Sequence, residues 1–359
     1  MSTLDTVNNT LPVDQPAPGL LGLAERGLLP DALIRLGIRR LCATRIQIER
    51  ADGLDKQSER MMKVLASLKT SPLAIETDAA NTQHYELPPA FFQLCLGKRL
   101  KYSCAYYPTG KETLDQAEEA MLKLYCERAG LADGQEILEL GCGWGSMTLW
   151  MAEQYPNARI TGVSNSSGQR GHIEQQCKLR GLNNVTIITC DVNRLSLPEN
   201  KFDRCVSIEM FEHMRNYETL LKRISTWLKP QGKLFVHIFA HKSFLYPFET
   251  EGADNWMGLH FFTGGIMPSA DTLVWFQRDM EMQQRWIVPG THYERTSNHW
   301  LENQDKHKDE VNKILVKHYG DAAALWSQRW RMFWMACAEC FGFDEGNEWI
   351  VAHYLMGKR

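Results

Sequence analysis

From about residue 112 onward, the apolar positions follow two periods in turn. The stretch TLDQAEEAMLKLYCERAG has helical spacing, with Thr113 placed to cap it, acids in its first turns and Gly130 to end it. EILEL at 136–140 then reads as a strand, followed by a glycine turn and a helical SMTLWMAEQY. The alternation continues through a strand ARITGVS, a helix near 167–181, and strands NVTIITCD and FDRCVSIEM. A helix from about Tyr217 to Leu228 precedes a strand KLFVHIFA. Two later apolar runs, 281–288 and 348–356, are placed to close the sheet edge, with a helical stretch between them. Strand alternating with helix over short links predicts an α/β fold: a mostly parallel, seven-stranded sheet with helices on both faces.

Upstream the pattern changes. Residues 1–17 are polar and proline-punctuated, which predicts a flexible N-terminus. Residues 18–110 read as a helical cap, periodic from Gly19 to about Leu68, with a polar linker near 75–83. Residues 111–359 form the core, with helical insertions expected near 242–280 and 295–343. The basic cluster Arg35, Arg39, Arg40 and Arg45 is read as a solvated helix face, with a membrane or an acidic partner as the alternative.

Composition narrows the class without naming a function. The chain has 359 residues, 44% hydrophobic and 23% charged, with a net charge of −3. That excludes a disordered chain and gives no global field for nucleic acid. No apolar run reaches the ~18 residues of a membrane span, and the start has no basic and apolar leader. Ten scattered cysteines are expected as reduced thiols of a cytoplasmic protein. The one CxxC, Cys337 to Cys340, lies in a helical segment and reads as structural, with no metal expected.

The candidate chemistry starts at Glu139-Leu140-Gly141-Cys142-Gly143-Trp144-Gly145. A glycine turn between strand and helix lets backbone approach a ligand and offers free N–H groups. It lacks the Gly-Lys-Ser/Thr of a phosphate loop, and its GxGxG spacing differs from the GxGxxG of dinucleotide folds. ILELGCGWG resembles motif I of class I S-adenosylmethionine (SAM) methyltransferases, a Rossmann-like fold. The resemblance implies SAM as cofactor, S-adenosylhomocysteine (SAH) as product, and cofactor contacts at Gly141, Gly143 and Gly145. The second strand ends Gly162-Val163-Ser164-Asn165, without the acidic residue that usually binds the ribose. Ser164 or Asn165 with Gln169 is expected there instead, and Asp191 with Val192 at the adenine.

Three further stretches sharpen the resemblance: His84-Tyr85-Glu86-Leu87, Tyr102-Ser103-Cys104-Ala105-Tyr106-Tyr107 and Glu209-Met210-Phe211-Glu212-His213-Met214. From about residue 80 onward they resemble the cyclopropane-fatty-acyl-phospholipid synthase superfamily. IEMFEHMRNYE, DQAEEAMLKLYCERA and FGFDEGNEW look closer still to its coclaurine N-methyltransferase-like branch. Lipid-modifying members have glycine where this chain has Glu209. Cyclopropane synthases hold a bicarbonate base with a Cys, a Glu, a His and a Tyr. Cys104, Glu212 and His237 match three of these, and the tyrosine falls near Met332 or Phe333, leaving the set incomplete. Tyr102 and Ser103 are implied to form a lid over the cofactor, and Tyr85, Phe262, Trp330 and Phe333 to line a substrate site. Trp326, Trp330 and Trp334 also make a helical stripe of the kind more often found in a core.

Methylation of an amine requires the neutral base. An amine with a pKa near ~10.4 meets a penalty of roughly 4 kcal/mol at neutral pH. Glu209, Glu212 and His213 stand at i, i+3 and i+4, which places them on one face of a helical turn. We read His213 as the base, Glu212 as the group holding the imidazole or the cation, and Glu209 as an amine contact; an ion pair at a helix start is the alternative. His241 is read as structural. The expected activity is SAM-dependent N-methylation of a small, benzylisoquinoline-like secondary or tertiary amine. The alternative is cyclopropanation or C-methylation of unsaturated acyl chains, with membrane contact expected only in that case. Pairing of two copies is a further expectation.

Overall fold

The computed structural model describes residues 14–75, 87–252 and 255–359. Four strands form the parallel part of the sheet: β1 (Glu136–Leu140), β2 (Arg159–Ser164), β3 (Val185–Thr189) and β4 (Phe202–Ile208). β5 (Leu228–His241) continues it in parallel beside β4. A small ribbon, β6 (Tyr246–Pro247) with β7 (Ile266–Met267), stands apart. β8 (Met280–Val288) and β9 (Trp349–Lys358) are the two late apolar runs, and both pair antiparallel, giving the order 3-2-1-4-5-9-8. The strand order reverses between β1 and β4, so the crevice beyond their carboxyl ends is where this architecture places ligands.

The helices start and stop as their local chemistry dictates. N-terminal to the sheet are α1 (Gly19–Glu25), α2 (Asp31–Arg50), α3 (Gly53–Thr70) and α4 (Pro89–Cys95). α5 (Leu114–Ala129) opens on a capping box between Thr113 and Gln116 and ends at Gly130 in the left-handed conformation. α6 (Ser146–Gln154) leaves the glycine turn. α7 (Ser167–Arg180) is capped by Ser166, and α8 (Tyr217–Trp227) by Asn216. The 242–280 insertion differs from the helical expectation. Among its described residues it holds the β6–β7 ribbon, one short α-helix, α9 (Trp256–His260), and a 3-10 turn, Thr272–Trp275, joined by irregular backbone. The later insertion is fully helical: α10 (Thr291–Lys306), α11 (Lys308–Tyr319) and α12 (Ala323–Phe341).

Two expectations about the N-terminal region are corrected by ion pairing. Of residues 1–17, expected to be flexible, 1–13 lie outside the described residues, and 14–17 are docked: the Ala17 N–H donates to Glu25 at 2.6 Å, and the Gln15 carbonyl accepts from Arg329 at 2.9 Å. Glu25 and Arg329 are themselves a buried pair at 2.8 Å, with the Trp256 indole N–H also on Glu25. The arginine cluster of α2 is a solvated face only in part: Arg40 and Arg39 are exposed, and three of the four arginines have partners. Arg35 and Arg39 both bind Glu339 of α12, and Arg45 pairs with Glu49 and lies over the Tyr246 ring. A helix surface read alone cannot show that a second helix supplies its counter-charge. Cys340 of the CxxC meets Cys42 of α2 across the same interface, a packing role. No described helix is long and apolar enough to cross a membrane.

Glu25→Ala leaves the Arg329 guanidinium buried without its carboxylate. The expected cost is about 3–5 kcal/mol, read as a lower urea midpoint. An unchanged midpoint would show that the docked N-terminal segment contributes nothing to stability.

Candidate active site

β1 delivers the chain into the glycine turn at the mouth of an open cleft of about 840 Å³. Gly141, Gly143, Ser164, Asn165, Gln169 and Val192 all line it, as the sequence predicts. At Gly143, φ is +50° and nothing lies within 4 Å of where a Cβ would stand, so a side chain there would project into ligand space. Gly145 plays a different part: a Cβ would meet Ile173 of α7 at 2.6 Å, so this glycine permits helix packing and does not line the cleft. The Ser164 hydroxyl donates to Gln169 Oε1 at 2.6 Å, which leaves the buried Gln169 Nε2 without a partner. A buried orphan donor beside an open cradle fits the hydroxyl-rich ribose of SAM. Asp191 is not part of the wall. Its carboxylate accepts from the Asn193 N–H at 2.7 Å, closing its own turn, while Cys190 and Val192 on either side face the cleft.

A second lobe joins the turn from the other side, lined by Tyr102, Ser103, Glu139, Gly141 and Gly143. The expected lid is a fixed wall. The buried Lys101 ammonium donates to Ser103 Oγ at 2.5 Å and to the Cys104 carbonyl at 2.6 Å. Tyr102 packs on Phe92, Trp300 and Trp334. Burial lowers the Lys101 pKa to about 8 and raises that of Glu139 to about 8, the latter against a hydrogen bond from Thr148.

Glu209, Glu212 and His213 converge on a third space, a chamber of about 400 Å³ shared with Tyr102, Phe239, Phe262, Tyr293, Trp300 and Phe333. They do so without an α-helical face. Glu209 ends β4 in the left-handed region at φ +47°, and only a 3-10 turn, Phe211–His213, follows. That backbone kink, not helical periodicity, turns the three side chains inward. Glu209 and His213 border the cofactor cleft as well as the chamber, so the two spaces meet at these residues. The His213 ring stacks on Phe262 at 5.1 Å.

The two carboxylates are held differently. Glu209 Oε1 accepts from the Cys104 N–H and from His237 Nε2, both at 3.0 Å, and Oε2 accepts from the Tyr293 hydroxyl at 2.7 Å. Glu212 is fully buried; among the described residues no side chain donates to its carboxylate, and only the backbone N–H groups of Glu212 itself and Phe239 lie toward it. Burial raises the pKa of both, and for Glu212 the neighbouring Glu209 charge raises it further. Cys104 and His237, two of the groups matched to a bicarbonate site, therefore surround the chain's own carboxylate. The remaining donor to Glu209 is Tyr293 from α10. Nothing in the sequence around Tyr293 marks it. Of the expected substrate contacts, Phe262 and Phe333 line the chamber. Trp330 packs behind them against Phe91, Phe261 and Phe333, in the core with Trp326 and Trp334. Tyr85 lies outside the described residues. His241 is buried 3.1 Å from Glu348 and accepts two backbone N–H groups, the structural role expected of it.

Residues 74–349 match the family described as mycolic acid cyclopropane synthetase. The chain belongs to that family. Two curated relatives place it in the coclaurine N-methyltransferase-like branch. The (S)-coclaurine N-methyltransferase of Thalictrum flavum subsp. glaucum is 36% identical over 345 residues, 95% of each chain. That of Papaver somniferum is 37% identical over 95% of this chain and 98% of its own. A crystal structure of coclaurine N-methyltransferase bound to N-methylheliamine and SAH superposes with a TM-score of 0.91 at 37% identity, covering 94% of this chain and 99% of that one. The family member described here is a SAM-dependent methyltransferase with a Rossmann-like fold. The family match begins at residue 74, whereas the N-methyltransferase matches cover 95% of the chain, so similarity extends into the helical cap, where the sequence alone showed none.

Gly143→Asp is expected to abolish SAM binding by calorimetry, because the new carboxylate occupies the cradle. The fold is expected to lose no more than the ~1–2 kcal/mol of a left-handed non-glycine residue. Tight binding by this variant would remove the glycine turn from the cofactor site.

Proposed function

We propose that this methyltransferase acts on the nitrogen of a small aromatic amine of benzylisoquinoline type. The observation that carries the reading is the Glu209 carboxylate, fixed by three donors where the chamber meets the cofactor cleft. The relatives named for coclaurine N-methylation support the same substrate class.

The bound cofactor supplies a methyl group already activated by its sulfonium, and Gly141, Gly143, Ser164, Asn165, Gln169 and Val192 would hold it, with Tyr102 and Ser103 along the second lobe. The chain's own task is to bring a nucleophilic nitrogen to the junction of cleft and chamber. Glu209 and Glu212 attract the substrate as its ammonium. His213, which touches both spaces, takes the proton so that the nitrogen presents its lone pair. Glu212 then stands beside the cation that methylation leaves, and the faces of Phe262, Phe333, Tyr102 and Trp300 exclude water and favour a methylated ammonium. Acyl-chain chemistry through a bicarbonate base is disfavoured by the same geometry, since Glu209 fills the place among Cys104, His237 and Tyr293. Of the α2 arginines, Arg35, Arg39 and Arg45 are paired with Glu339 and Glu49, which weakens the basic face that a lipid surface would meet, and Arg40 stays exposed.

Methyl transfer from labelled SAM is expected to aromatic amines and not to unsaturated phospholipid vesicles; label in lipid alone would overturn the proposal. His213→Ala is expected to lower kcat by about 10²–10³-fold with SAM affinity unchanged. Unaltered turnover would take the base role from it.

The pH dependence follows from the carboxylate pair. Burial lifts Glu209 to about 7, so the pair keeps a proton at pH values where exposed carboxylates are ionised. Raising the pH through that range adds negative charge to the chamber, so affinity for the ammonium form is expected to increase from pH 5 to 8. Titration calorimetry on Glu209→Gln should show a flattened profile; a profile identical to wild type would place the dependence elsewhere.

A further inference from the structure

One row of side chains crosses the sheet beneath Glu209, and no step above uses it. Trp286 on β8 stands opposite His353 on β9, His353 opposite His237 on β5, and His237 opposite Ile208 on β4, the residue before Glu209. Arg128, in the last turn of α5, lies over the Trp286 ring at 5.0 Å and reaches His353 Nδ1 with Nη1 at 2.6 Å. His353 Nε2 is 2.8 Å from His237 Nδ1, and His237 Nε2 is 3.0 Å from Glu209 Oε1.

We propose that Arg128 is a positioning residue for the methyl-transfer reaction: through His353 and His237 it sets the direction of a hydrogen-bond row that ends on Glu209 and holds that carboxylate as an acceptor. The inference rests on the reading of Glu209 as an amine-holding carboxylate.

The direction follows from donor and acceptor counting. A guanidinium has donors only, so His353 Nδ1 must accept from Arg128. The neutral His353 ring then carries its proton on Nε2 and donates to His237 Nδ1. His237 in turn has its proton on Nε2 and donates to Glu209. The Tyr125 hydroxyl approaches the same His237 Nδ1 at 2.9 Å, a second donor toward one lone pair. The opposite assignment would set two N–H groups facing each other across 2.8 Å. Both rings are buried and held neutral by desolvation, with the charges of Arg128 and Lys101 acting in the same sense. The ionisable groups around the row include Arg128 with Tyr106 and Glu127 beside it, Lys101, Tyr125, Cys104, Tyr293, Glu209 and Glu212.

The direction has a chemical consequence. An Nε2–H facing Glu209 favours the carboxylate. A reversed row would present the His237 Nε2 lone pair instead, which favours the protonated acid and removes the charge that attracts an ammonium. Without Arg128, nothing on the β9 side of the row forbids that reversal.

The test uses the full chain labelled with ¹⁵N-histidine, with tautomers read from long-range proton–nitrogen correlations. In the wild type, His353 and His237 are both expected neutral with the proton on Nε2. An Nδ1–H tautomer or an imidazolium at either position overturns the proposal. Arg128→Met is expected to raise the KM for the amine about tenfold, to leave SAM affinity unchanged and to shift His353 toward the Nδ1–H tautomer. Arg128→Lys, also a pure donor, is expected to restore both the KM and the tautomer. Equal losses in the Met and Lys variants at wild-type thermal stability would mean that packing, not donor direction, is at work, and would overturn it. A wild-type protein inactive on every amine would sink the substrate reading alone, because the tautomer measurement decides the row without turnover.

Discussion

The left-handed backbone of Glu209 is the constraint on which the site depends. A non-glycine residue at φ +47° costs about 1–2 kcal/mol, and the burial of its carboxylate costs more. The structure maintains it with donors from three separate elements: the backbone before α5 at Cys104, His237 of β5 and Tyr293 of α10. Strain of this kind persists where the surroundings over-determine it. Here the kink carries the chain out of β4 and aims Glu209, Glu212 and His213 at the junction of cleft and chamber. A glycine would adopt this backbone freely, but it would leave an anion-binding space to be filled by something else.

The rest of the molecule holds that junction still. Lys101 fastens the Tyr102–Ser103 wall, and the aromatic packing of Tyr102, Trp300 and Trp334 fixes α10 and α12 around it. The cap closes the assembly from outside through charge pairs: α2 to α12 at Glu339, and the docked N-terminal segment to Arg329 through Glu25. Arg35, Arg39 and Arg45 of the cap thus serve the chain's own helix contacts, while Arg40 stays exposed.

The sequence made the sheet legible because its strands are short, apolar and separated by capped helices; Thr113, Gly130 and the GxGxG turn each act locally, within a few residues of their own backbone. The same locality explains Gly143, in the turn after β1, and the pair Ser164 and Gln169, at the end of β2 and the start of α7. What escaped was set by contacts distant in sequence. Tyr293 reaches Glu209 from 84 positions away with no motif around it. The α2 arginines resembled a free surface because Glu339 lies some 300 residues on. Glu209, Glu212 and His213 were rightly grouped but for the wrong reason: helical spacing suggested one face, whereas a strained residue and a 3-10 turn bring them together. Trp330 was drawn into the pocket by resemblance, while its place in a four-residue aromatic stripe correctly pointed to the core.

The unequal treatment of the two carboxylates carries the chemical argument furthest. Had the fold needed only a buried acidic pair for stability, both members would be expected to have donors, since an unsatisfied buried oxygen costs about 1–3 kcal/mol or more. Glu209 has three well-formed donors, two of them side chains, whereas Glu212 has no side-chain donor among the described residues and only backbone N–H groups toward it. Burial and the Glu209 charge favour the protonated acid at Glu212. An ammonium held beside it favours the carboxylate instead, with release of that proton to solvent, at the place where a methylated nitrogen must later keep its charge. A neutral alkene drives no such ionisation, and so the buried acid pair distinguishes an amine from an acyl chain more sharply than the shape of the aromatic walls.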